Sequence, residues 1–95
     1  MVPMPRERAP KQILSRLGNI IADHRKRVGL TQRDLATVIG VGICTEQHWE
    51  QGLKEPGLGN LIRIAATCDV PLSVLLSPLD DFRLEPHPER GATCH

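Results

Sequence analysis

Aromatic side chains are nearly missing from this 95-residue chain: Trp49 and Phe82 are the only two, and there is no tyrosine. Its core must therefore be aliphatic, and a small helical bundle is expected in preference to a β-sandwich. No apolar run approaches the ~20 residues of a membrane span, and the opening segment MVPMPRERAPKQ has no apolar leader-like stretch. A reducing cytoplasm is the expected location. The cysteines, Cys44, Cys68 and Cys94, are odd in number, far apart and without a CxxC pair. That spacing argues against a disulfide framework and a zinc ribbon. His87, Cys94 and His95 gather near the end of the chain but lack a fourth ligand, so no metal site is expected. The chain also lacks paired carboxylates, a nucleophile with an adjacent base, and a phosphate-cradling loop. Neither an enzyme nor a cofactor is expected.

Net charge is small, but the charges are unevenly placed. The net charge is only +1, yet residues 1–33 hold eight Lys/Arg against Glu7 and Asp23, whereas residues 34–95 hold four against nine acids. A basic front half suits contact with phosphates, and an acidic rear half suits a solvent-facing side.

Hydrophobic spacing then divides the chain. Residues 1–9 read as a mobile arm, residues 10–77 as one helical domain, and residues 78–95, around the lone Phe82, as a loosely ordered tail. Pro10 fits the first turn of a helix. Ile13, Leu14, Leu17, Ile20 and Ile21 recur at three- and four-residue spacing to Arg27, and Gly29 ends this first helix. After a loop at Lys54–Gly57, the residues Leu58, Leu61, Ile62, Ile64 and Ala65 describe a fourth helix closed by Asp69. Pro71 opens a short fifth helix, 72–76, stopped by Pro78. Leu75, Leu76 or Leu79 is expected to stand exposed there and to seek cover in a second copy.

The most informative stretch lies between, TQRDLATVIGVGICTEQHWEQG from Thr31 to Gly52. Thr31 is an N-cap, Leu35, Ala36 and Ile39 share an inner face, and Gly40 supplies a positive-φ corner. A second helix spans roughly Ile43 to Gln51, with Trp49 as its apolar anchor and Gly52 as its stop. Two short helices about a tight turn are the helix-turn-helix pattern, which sets the second helix against the DNA major groove.

Residues about 17 to 76 resemble the Xre/Cro-type phage-repressor family. The resemblance rests on LTQRDLA, IGVG and HWEQG, then Pro56 with LIRIA, and VPLSVLL, all in order. It implies an all-α, five-helix repressor-like domain whose third helix reads DNA. By position, the base-reading places fall on Ile43, Cys44 and His48, with Thr45 and Gln47 nearby. Phosphate contacts fall on Gln32 and Lys54, with Arg33 close to the expected groove. Arg25 and Glu50 match a partly buried structural ion pair. Three departures stand out. Ile43 and Cys44 replace polar residues, Gly42 replaces a serine cap, and Glu46 stands where the family buries Ile or Val. A buried carboxylate must pair, protonate or reach solvent. The implied partner is double-stranded DNA, bound by a homodimeric transcriptional regulator. An alternative is an antitoxin or adaptor that turns the same face to a protein partner, a toxin or regulator.

Overall fold

A computed structural model describes residues 10–82. The first helix, α1, runs Lys11–Arg27. Pro10 stands just before it rather than inside its first turn, and its carbonyl accepts from the amides of Ile13 and Leu14. His24, Arg25, Lys26 and Arg27 fill the last turn, where cations suit the negative end of the helix dipole. Gly29, at φ 78°, then reverses the chain.

Helix α2, Gln32–Ile39, begins with a capping box in which Thr31 Oγ1 accepts from the Asp34 amide and the Asp34 carboxylate accepts from the Thr31 amide. Those bonds hold the Asp34 carboxyl below its ordinary value. Gly40, at φ 90°, ends it, as its place in the sequence requires. Helix α3 follows as Ile43–Glu50, α4 as Leu58–Thr67 and α5 as Leu72–Leu76.

Leu17, Ile20 and Ile21 from α1, Leu35 and Ile39 from α2, and Trp49 from α3 meet Ile64, Ala65, Cys68 and Leu75 in one core. On α4, Leu58 and Ile62 are 66% and 50% exposed, while Leu61, Ile64 and Ala65, with Cys68 at the C-cap, face the core. On α5, Leu75 is fully buried and Leu76 and Leu79 pack against the core, so Val74 is the exposed leucine-like residue instead. α5 ends at Leu76, ahead of Pro78, as expected. The proline itself sits within a 3-10 turn, Ser77–Leu79, that lies against α1. Arg16 donates to the Pro78 carbonyl at 3.4 Å and holds its guanidinium 5.0 Å from the Phe82 ring centre, so the packed region reaches Phe82. The arm, and the cluster His87, Cys94 and His95, lie outside the described residues.

Gly18 sets the distance between α1 and α3. A Cβ there would lie 2.6 Å from the Trp49 carbonyl oxygen and closer still to that of Glu50. Both are backbone atoms, so the helices themselves would have to part. In an open helix Gly18→Ala would gain about 1 kcal/mol from propensity. Here the expected result is a loss of about 1–3 kcal/mol in urea unfolding, the usual cost of overpacking. A gain would mean that the two helices separate freely.

Candidate nucleic-acid interface

The C-terminal half of α3 is fixed by charge. Arg25, 7% exposed in α1, grips Glu50 with two parallel bonds, Nε to Oε2 at 2.7 Å and Nη2 to Oε1 at 3.1 Å. Its remaining Nη1 donates to the Leu30 carbonyl at 2.7 Å, while the Leu30 amide donates to the Arg25 carbonyl. One guanidinium thus ties α3 to the loop that starts α2, with the planar fork that only arginine offers. The bond to Glu50 raises the Arg25 pKa above its ordinary value. Burial pushes Glu50 up, but the hydrogen bonds from Arg25, with that from Gln32, outweigh it and hold this carboxyl below the usual range.

Two glutamines extend the network towards the surface. Gln32 Nε2 donates to Glu50 Oε1 at 3.1 Å, and Gln47 Nε2 donates to Gln32 Oε1 at 3.3 Å. Gln32, assigned from sequence to a phosphate, therefore spends its oxygen and one N–H inside the protein, leaving its second N–H for any external anion. Glu46 lies beneath them. It is fully buried, and neither of its oxygens meets a donor among the described residues. Burial, with Glu50 alongside, pushes its carboxyl up to about 8. Of the three outcomes open to a carboxylate there, burial excludes solvent and favours the protonated form over the anion.

With Glu46 and Trp49 turned inward, the opposite side of α3 faces out. Cys44 is exposed and His48 is half-buried one turn later, while Thr45 and Gln47 flank them, also half-buried, and Ile43 lies half-buried at the start of the helix. Gln51, the exposed C-cap, continues the stripe by one more turn and was not singled out from the sequence. Its spacing, seven residues after Cys44 and three after His48, is the signal that finds it. The end of the helix is closed by Gly52 at φ 75°, and the His48 carbonyl accepts from the amides of Leu53 and Lys54. This turn carries Lys54 outward, and Arg33 is exposed at the start of α2. Gly42 caps α3 without a side-chain bond, as its lack of a hydroxyl requires. Lys26 and Arg27 are exposed on α1, beyond the pair made by Arg25.

A capped helix, a glycine corner and a rigidly held second helix with a polar outer stripe define the arrangement. Residues 21–75 match the family model HTH_3, described as helix-turn-helix. The chain belongs to this family. HTH_3 proteins of the Xre/Cro type are DNA-binding transcription regulators, not enzymes. Among solved structures, the restriction-modification controller protein C.AhdI from Aeromonas hydrophila is 26% identical, with a TM-score of 0.62 over 65% of this chain and 94% of that one. The clp gene regulator ClgR from Corynebacterium glutamicum is 23% identical, with a TM-score of 0.66 over 68% and 69% of the two chains. A hypothetical transcription factor, NHTF, from Neisseria is 22% identical, with a TM-score of 0.63 and full coverage of both chains. The last two show likeness of fold alone. None of the curated proteins matches. No single helix among the described residues is long and apolar enough to cross a membrane.

Proposed function

We propose that this HTH_3 protein binds operator DNA as a homodimer and represses transcription there, with α3 in the major groove. The observation that carries this reading is the outer stripe of α3, Cys44, His48 and Gln51 flanked by Thr45 and Gln47, on a helix immobilised by the Arg25–Glu50 pair. Ile43 touches a thymine methyl at most. Thr45, Gln47 and His48 carry the polar contacts to base edges. Arg33 and Lys54 face the backbone as point charges, and the capped start of α2 presents its amides and the Gln32 N–H to a phosphate.

Selection of bound fragments from random double-stranded DNA, followed by salt titration, tests this reading. A consensus of two half-sites is expected, about 34 Å apart for a two-fold dimer. Lys54→Ala should weaken binding alike on every sequence and flatten the salt slope by about one unit. Gln47→Ala or His48→Ala should instead change the preferred base, at about 1–3 kcal/mol per good contact. No consensus, with retention of a protein partner that Cys44→Asp abolishes, would replace the repressor reading by the adaptor one. For the dimer, Leu58 and Ile62 stand one turn apart and exposed on α4, which favours that helix over α5 as the covered face. Ile62→Glu should then shift the mass seen by light scattering from dimer to monomer, and an unchanged dimer would place the contact elsewhere.

A further inference from the structure

We propose that Gln32 is a positioning residue for base reading: held by Glu50, it fixes the Gln47 amide with one acceptor and one donor left free, and Gln47 thereby selects adenine. The inference deepens the reading of α3 as the DNA-contacting helix and rests on it.

Glu50 is the fixed end of the chain of bonds. Both of its oxygens accept from Arg25, and the same guanidinium is tied to the Leu30 carbonyl in the loop that starts α2. A carboxylate gripped in this way only accepts, so Gln32 must turn its NH2 towards Glu50 Oε1, which it meets at 3.1 Å. The Gln32 carbonyl oxygen is then left for Gln47, whose NH2 answers it at 3.3 Å from the neighbouring helix. Reversing either amide would set oxygen against oxygen or NH2 against NH2. Which way round Gln47 stands is therefore decided by a residue of α2, anchored in turn on α1.

What remains on Gln47 is one carbonyl oxygen and one N–H, side by side on the same amide. In the major groove adenine offers the matching pair, an N6 donor beside the N7 acceptor. Guanine offers two acceptors, O6 and N7, and Gln47 has given one of its two N–H groups to Gln32. Thymine and cytosine offer a single polar group each. Without Gln32 the Gln47 side chain regains its second donor and its rotation, so it can answer groups on several bases. Holding it beforehand also spares part of the rotamer entropy that a free glutamine loses on binding. The half-buried Gln32 side chain suits this role better than that of a phosphate ligand alone, since only its second N–H is uncommitted. A phosphate contact by that N–H is compatible with the relay and adds affinity on every sequence alike.

The test uses the full chain as wild type, Gln32→Leu, Gln47→Leu and the double variant. Arg25 keeps its bonds to Glu50 and Leu30 in all of them, so α3 stays tied down. Each protein is titrated with the selected DNA and with duplexes carrying the other bases, one position at a time. Gln47→Leu should lower the preference for adenine about tenfold or more at one base pair. Gln32→Leu should lower it at that same base pair, and should lower it no further when added to Gln47→Leu. Any phosphate contact that Gln32→Leu removes is uniform over sequence and cancels in the ratio. In the DNA-free protein, the NMR order parameter of the Gln47 side-chain amide should fall in Gln32→Leu. Preference intact in Gln32→Leu, with binding weakened alike on every sequence, overturns the proposal and leaves Gln32 a phosphate ligand. A Gln47 amide equally ordered without Gln32 overturns it as well. A consensus that Gln47→Leu leaves unaltered, or a Gln47 preference for a base other than adenine, overturns it while the repressor reading stands. Absence of any consensus in the wild type removes both.

Discussion

Replacing Arg25 by alanine should lower the stability of the domain by about 3–5 kcal/mol, the cost of stranding a buried partner. Three things are lost together. Glu50 keeps its burial but loses both bonds of the fork, the Leu30 carbonyl loses its donor, and α3 loses its tie to the start of α2. Because Glu50 is then a carboxylate beside Glu46 with only Gln32 as donor, it too is driven towards protonation. Urea unfolding of Arg25→Ala, Glu50→Ala and the double variant measures the coupling. Strong non-additivity is expected, with the double variant costing less than the sum. Arg25→Lys should recover little, since a point charge cannot bond Glu50 twice and reach Leu30 as well. Additive effects would mean that the pair is not closed in solution.

Stability should also fall as pH rises through neutrality, and Glu46 is the cause. In the unfolded chain its carboxyl ionises near 4.5, while in the folded protein burial holds the proton to about 8. Between those values folding takes up a proton, so each pH unit removes up to about 1.4 kcal/mol, and the loss is complete above about 8. Glu50 and Asp34 have the opposite sign. Both are held below their ordinary values, so the stability they confer is present at neutral pH and lost as acid protonates them. The stability maximum is therefore expected near about pH 5, below the neutral region. Glu46→Ile should flatten the alkaline limb and raise the melting temperature at about pH 8, by about 4–8 °C for each kcal/mol recovered. A wild-type curve that is flat from pH 5 to pH 8 would show that water or a partner reaches this carboxyl.

Much of the fold was legible because local chemistry and tertiary context agree. Thr31, Gly29, Gly40 and Gly52 stand where the helices begin or turn, and their backbones behave as capping rules require. The apolar spacing of α1 gave its bounds and its buried face, and Trp49 is the anchor its isolation suggested. Residues whose environment comes from distant segments were less legible. In α4, five apolar residues spread round more than one face, and only packing against α2 and α5 decides that Ile64 and Ala65 go in while Leu58 and Ile62 stay out. The same holds for Leu75, which α1 and α4 cover, and for Ser77–Leu79, a 3-10 turn beyond the end of α5 that contact with α1 holds in place.

At the interface the division follows the same physics. The sequence by itself determined an all-α domain of the Xre/Cro type, the place of its third helix, and which side chains could contact DNA, because helical periodicity and caps depend on neighbours within a few residues. The tertiary structure decided what those side chains are free to do. Gln32 is drawn inward by Glu50, Gln47 is oriented by Gln32, and burial beside Glu50 pushes the Glu46 carboxyl well above its ordinary value. Hydrogen-bond direction and desolvation are set by groups 15 to 25 residues away in the chain, and no spacing rule along one helix contains them.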